Sequence, residues 1–200
     1  MTVNAVSDVV VVGSGFAGLW AALGAARRLD ELAVPAGTVN VTVLSAKPFH
    51  DIRVRNYEAD LSACRIPLAD VLDPVGVAHI TAKVTAIDSG TRTVTTVGGD
   101  GQTGTHGYDR LVLAAGSQVF KPDIPGLREF GFDVDTYDHA MALTRHLARL
   151  ADGPATRELA TVVVVGAGLT GIEAATELPG RLAAVFAGRD IAPRVALIDH

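Results

Sequence analysis

The 200-residue sequence predicts an α/β fold of two tandem, doubly wound parallel sheets, the first with a small antiparallel meander and the second incomplete. Three observations predict it. Residues 9–18 read Val-Val-Val-Val-Gly-Ser-Gly-Phe-Ala-Gly and residues 162–171 read Val-Val-Val-Val-Gly-Ala-Gly-Leu-Thr-Gly, the same strand-turn-helix signature at an offset of 153 residues. The apolar run before each turn is continuous rather than alternating, as expected of strands covered on both faces by helices. Alternation is confined to residues 79–97, where Val84, Ile87, Val94 and Val97 punctuate Thr-rich sequence around the turn at 88–90, the mark of an antiparallel meander with one wet face.

Taken in order, residues 9–12 form the first strand and 16–29 the helix after it, Ala-rich and closed by Asp30 and Pro35. Residues 39–44 supply the second strand, and 98–104, with four glycines, form a turn after the meander. Residues 108–116, Tyr-Asp-Arg-Leu-Val-Leu-Ala-Ala-Gly, return a strand to the parallel sheet. Pro122 and Pro125 stiffen 118–126 into a linker, because proline fixes its own backbone and disfavours helix before it. The domains are therefore 1–117 and 127–200. Met141, Leu143, Leu147 and Leu150 recur at helical spacing and predict a helix over 138–150. The second glycine unit follows, with 195–198 as its second strand and the segment around Pro179 and Gly180 as helix and loop between.

Each glycine of the repeated Gly-x-Gly-x-x-Gly has a job in a Rossmann-like unit. Gly13 and Gly166 allow the tight turn off the strand, Gly15 and Gly168 let the backbone approach a pyrophosphate, and Gly18 and Gly171 let the helix pack closely. The pyrophosphate then meets a positive helix N-terminus. One such turn also occurs in proteins that bind nothing. Two copies that agree again at Ala21/Ala174, Ala22/Ala175, Arg28/Arg181 and Leu29/Leu182 point to two dinucleotide sites.

Composition narrows the function further. Formal net charge is −5 and the seventeen basic residues are scattered, so there is no electrostatic footprint for nucleic acid. The single cysteine, Cys64, offers neither an internal disulfide nor a metal-ligand spacing, which fits a reducing, cytoplasmic compartment. The leading residues lack a basic stretch and read as the approach to a first strand, not a signal peptide. No apolar run reaches the length of a membrane span, and peripheral attachment to the inner face of a membrane stays open. No metal is assigned.

Among single residues, Cys64 reads as a small buried hydrophobe, with a redox thiol as the alternative. Lys47 and, behind it, His50 are candidates for contact with a cofactor, against the ordinary reading of loop decoration. Phe16 and Trp20 read as packing at the first helix start, and His139 and His146 as solvated. Glu173, two residues past Gly171, stands where the first copy has Trp20, so the helix does not demand an acid there. It reads either as a first-turn charge favoured by the helix dipole or as a functional acid.

Four segments resemble the two-dinucleotide-domain flavoproteins of the pyridine nucleotide-disulfide oxidoreductase superfamily, in its type II NADH dehydrogenase-like branch. They are the first glycine motif running into Leu19, the 108–116 strand, Ile124-Pro-Gly126, and the second motif continuing through Glu173. The resemblance implies FAD on the first unit and NADH or NADPH on the second, with hydride passing from nicotinamide to flavin and electrons on to a quinone or another small-molecule acceptor. It implies that Gly13, Gly15, Phe16, Ala17 and Gly18 face the FAD pyrophosphate, with Ala115 and Gly116 closing on it and the Val84 backbone meeting the adenine. It implies that Gly166, Gly168, Leu169, Thr170 and Gly171 take the nicotinamide dinucleotide, that Glu173 acts near nicotinamide and flavin, and that Asp199 grips the ribose and favours NADH. A homodimer is a further expectation.

This sequence departs from the family pattern in three places. The acid expected after the second strand is Ser45, whose neutral hydrogen bond to a ribose is weaker than a charge-assisted one. Ala115 stands where a threonine is usual. The family's late Gly-Asp segment and C-terminal domain lie outside these residues, so the chain reads as incomplete. Two alternatives stay open: a ferredoxin- or rubredoxin-type NAD(P)H reductase, and a non-catalytic dinucleotide-binding protein.

Overall fold

A computed structural model describes residues 6–199; the leading residues read above as the approach to the first strand, and His200, lie outside the described part. The chain divides into two compact units, one of residues 1–51 and 65–117, the other of 52–64 and 118–200. The division at 117/118 falls at the start of the Pro-containing stretch, which groups whole with the second unit, and 52–64 likewise groups with the later residues rather than with its chain neighbours.

The first unit opens with β1 (Ser7–Val12), α1 (Phe16–Glu31) and β2 (Val39–Ser45). β1 and β2 pair in parallel from Ser7↔Val39 to Val12↔Leu44. Helix α1 forms because alanines dominate it and Arg27 and Arg28 pair with Glu31 one turn on. It buries Gly18, Leu19 and Ala22 against the sheet, in a core with Val11, Val41, Val43, Leu68 and Leu72. Burying each such Val or Leu contributes about 1.5–3 kcal/mol relative to exposure.

Between β2 and the meander lie, besides two short 3-10 turns, elements the sequence reading left unassigned: β3 (Phe49–Asp51), β4 (Arg65–Pro67), antiparallel to β3, and the short α2 (Leu68–Leu72). Strand β5 (Ala78–Asp88) then pairs in parallel with β2 at its start and in antiparallel with β6 (Thr93–Gly98) further on. One strand thus belongs to both the parallel sheet and the expected meander. β7 (Thr103–Gly107) completes the meander, and β8 (Arg110–Leu113) returns beside β1. The sheet order is β7-β6-β5-β2-β1-β8.

The second unit holds α3 (Leu127–Phe130), α4 (Tyr137–Leu150), β9 (Thr161–Val165), α5 (Leu169–Val185) and β10 (Arg194–Ile198). The Thr136 hydroxyl caps α4 by accepting from the His139 N–H. β9 and β10 pair in parallel, and α4 and α5 cover one face through Leu147, Leu178, Leu182 and Phe186. Helix α5 runs through Pro179 to Val185 and a loop leads on to β10, a long helix and loop as expected between the second motif and the second strand. An interior proline costs about 3 kcal/mol. Burial of Leu178, Leu182 and Phe186 on either side outweighs it.

Candidate functional site

β1 lies between β2 and β8, so the chain leaves it in one direction through α1 and returns on the other side. The carboxyl end of β1 is therefore the switch point at which open α/β sheets bind ligands. Gly13 sits there, its N–H bonded to the Leu44 carbonyl at 2.8 Å, while the Ala114 N–H bonds Val12 at 2.8 Å. Gly13 has φ +103°, and a Cβ on it would lie 2.2 Å from the Ala114 carbonyl oxygen. A Cβ on Gly18 would lie 1.9 Å from the Gly13 carbonyl oxygen.

Gly15 is different. Its φ is −69°, open to any residue, and a Cβ there would meet nothing within 4 Å. The polypeptide requires the outer glycines and leaves space at the middle one, which is what close approach of a ligand calls for. Gly15 is the N-cap of α1 and no side-chain hydrogen bond caps it, so the first-turn N–H groups at Phe16, Ala17 and Gly18 are ones that could hold an anion. These residues fit a dinucleotide pyrophosphate.

The second unit repeats the arrangement. Gly166 has φ +102° and bonds the Ile198 carbonyl at 2.8 Å, and a Cβ on Gly171 would lie 1.8 Å from the Gly166 oxygen. Gly168, the uncapped N-cap of α5, has φ −69° and open space where a Cβ would be. Leu169 and Thr170 are exposed at the first turn.

Ser45 directly follows Leu44, and Asp199 directly follows Ile198, each strand residue being the partner of a first motif glycine. The two therefore hold equivalent positions, 27 residues past Gly18 and 28 past Gly171, and the ribose-facing place expected of both by chain order is the same in each unit. Ser45 is buried and its hydroxyl lies 2.7 Å from that of Ser14, which itself donates to the Phe49 carbonyl at 3.0 Å. Ser14 has one proton, so Ser45 donates to Ser14 and keeps only acceptor capacity, shared with the Lys47 N–H at 3.4 Å. Ser14 is the residue that sequence reasoning missed. Asp199 is exposed just past β10, as is Lys47 in the loop after β2.

Ala115 and Gly116, the latter at φ +74°, are exposed just past β8 beside Gly13. Val84 lies on β5 opposite Thr96, where the register shifts, and its side chain packs on Val10, Val12, Leu44 and Val94. His50 is no loop decoration. It is 4% exposed, hydrogen-bonded through Nδ1 to the Ser14 carbonyl at 2.8 Å, and meets Phe16 edge to face at 4.9 Å. Trp20, expected to pack, is 69% exposed, because its place on α1 turns away from the sheet-facing side of Leu19 and Ala22.

Glu173 is the fifth residue of α5, and the first turn holds no acid. This corrects its assignment to that turn, and with it the helix-dipole reading, since the dipole's influence falls off within one turn. His139, expected to be solvated, is exposed and also bonds Asp133 at 2.8 Å, whereas His146 is half-buried with its ring tilted against Phe132 at 4.6 Å between centroids. Burial alone pushes the Asp133 carboxyl up, but Lys121 and His139 outweigh it and hold the group below its ordinary value. Cys64 is fully buried with Leu61 and Ala140, and burial raises its thiol. Among the described residues there is no metal-ligating cluster and no helix long and apolar enough to cross a membrane.

Residues 7–200 match the family model of pyridine nucleotide-disulphide oxidoreductases, and the chain belongs to that family. It is 73% identical over 193 residues to an NADH dehydrogenase-like protein of Mycobacterium tuberculosis, covering 96% of this chain and 47% of that protein. A demethylphylloquinone reductase of Synechocystis is 30% identical over 176 residues, covering 87% of this chain and 43% of that one. The chain thus spans about half the length of these relatives. Its fold matches the structure of NDH2 from Plasmodium falciparum with a TM-score of 0.73 at 16% identity, over 97% of this chain and 41% of that one.

Proposed function

We propose that this chain is the dinucleotide-binding half of an FAD-dependent NADH dehydrogenase, with FAD on the first unit, the nicotinamide dinucleotide on the second, and residues 118–126 as the linker between them. The observation that carries the reading is the paired cradle: Gly15 and Gly168 each have an ordinary backbone and open space beside them, at an uncapped helix N-terminus. The name of the demethylphylloquinone reductase relative supports a quinone as electron acceptor. A quinone dissolved in lipid would bring the protein to a membrane surface as a peripheral partner.

FAD, when bound, supplies a two-electron hydride acceptor that reoxidises against the final acceptor. The chain's residues supply placement. The N–H groups at the start of α1 and α5 hold the pyrophosphates. Ser45 accepts a hydrogen bond from a ribose hydroxyl on the first unit, and Asp199 accepts from ribose hydroxyls on the second and repels a 2′-phosphate, which favours NADH over NADPH. Glu173, beyond the reach of the helix end, positions the reacting dinucleotide.

The full-length protein is expected to purify yellow and to bleach when NADH is added without oxygen. A colourless full-length protein that takes up no added FAD sinks the reading.

A further inference from the structure

Ser14, the middle residue of the first Gly-x-Gly, is held from three sides within its own unit. Its hydroxyl donates to the Phe49 carbonyl at 3.0 Å and accepts from Ser45 at 2.7 Å, and its carbonyl accepts from His50 Nδ1 at 2.8 Å. A carbonyl only accepts, so Nδ1 carries the proton. Phe49 and His50 belong to β3, which is itself braced: Arg65 on β4 grips the Asp51 carboxylate with two bonds of 2.7 and 2.9 Å and lies over the Phe49 ring at 5.0 Å.

The Ser14–Gly15 peptide is trans, so its carbonyl and the Gly15 N–H point in opposite directions across one plane. Fixing the carbonyl against His50 fixes that plane, and with it the backbone at Gly15. The second unit has Ala167 where Ser14 stands, with no hydroxyl to hold.

We propose that the β3/β4 hairpin is a bracket for the first cradle, with His50 as its positioning residue, and that it makes the first unit retain its dinucleotide while the second exchanges its own. This rests on the reading of the first turn as a dinucleotide site. A cradle already rigid in the free protein loses less freedom on binding, and the gain appears chiefly as slower release.

The test uses the full-length protein and two substitutions of opposite design. His50→Asn keeps a donor at the position of Nδ1 and loses the ring; His50→Phe keeps the ring against Phe16 and loses the donor. Flavin affinity and release rate are measured by reconstitution of the flavin-stripped protein, and NADH affinity separately. His50→Phe is expected to weaken flavin binding by about tenfold, the size of a lost hydrogen bond, while His50→Asn stays close to wild type and NADH affinity is unchanged in both. Ser14→Ala, which removes the hydroxyl bonds to Phe49 and Ser45 while leaving every side chain of the hairpin in place, is expected to follow His50→Phe and decides the matter if that variant does not fold. The proposal is overturned if His50→Phe and Ser14→Ala bind flavin like wild type. It is also overturned if His50→Asn is the weaker binder of the two His50 variants, or if NADH affinity falls in parallel. Wild-type protein that takes up no dinucleotide at the first unit overturns the underlying reading and the bracket together.

Discussion

The carbonyl oxygen of Gly13 occupies the place that a Cβ on Gly18 would need, 1.9 Å away, and Gly166 and Gly171 repeat the relationship at 1.8 Å. The last glycine of each motif is thus a requirement of the polypeptide, whereas the middle one is under no such demand from its own chain. Gly18→Ala is expected to cost about 1–3 kcal/mol or more in stability through overpacking against backbone. Gly15→Val has space to fill and is expected to abolish flavin uptake while melting at nearly the temperature of flavin-stripped wild type. Thermal melts of the two variants beside their flavin content check this. A Gly15→Val protein that stays yellow removes the cradle from the site.

Glu173→Gln keeps the side chain's shape and removes its charge. Because Glu173 is the fifth residue of α5, past the first turn in which a helix end favours an acid, loss of its charge is not expected to cost stability. The expected outcome is an unchanged melting temperature with slower flavin reduction by NADH in stopped-flow measurements. An unaffected rate rejects a role for the carboxylate.

Asp199→Ala is expected to reduce the preference for NADH over NADPH by about tenfold, the equivalent of about 1.4 kcal/mol. The 28-residue gap from Gly171 is longer than a spacing of about 20 would suggest. The 27-residue gap from Gly18 to Ser45 shows the same long helix and loop in the first unit. The ratio of flavin-reduction efficiencies for the two nucleotides is the measurement, and a wild-type preference for NADPH excludes the assignment.

Cys64 is expected to resist thiol reagents in the folded protein at neutral pH and to react fully once unfolded. Burial raises its thiol above the ordinary value. The stability this contributes is complete below the unfolded thiol pKa and is lost as pH rises through the higher folded value. Cys64→Ala is expected to leave flavin reduction intact, and rapid modification of the native protein with loss of activity would contradict the buried role.

What the sequence made legible was local. Both glycine turns, β1, β2, β9, α4 and the meander follow from residues whose backbone or burial demands are met by their neighbours in the chain. The bracket was hidden because β3 and β4 are three residues each, too short for alternation to show, and their pairing joins Phe49 to Pro67 across a segment that packs elsewhere. Ser14 was overlooked because the fingerprint treats its position as arbitrary. What carries α5 through Pro179 is not local, since the proline's cost is visible in the sequence while the compensating burial of Leu178 and Leu182 is tertiary.

Trp20 is the single tryptophan of these 200 residues, 69% exposed, one helical turn past Phe16 on the helix that starts at the first cradle. Red-edge excitation of this chain therefore addresses one fluorophore at one end of one unit. Its emission will report hydration at that spot on the first unit without any label being introduced.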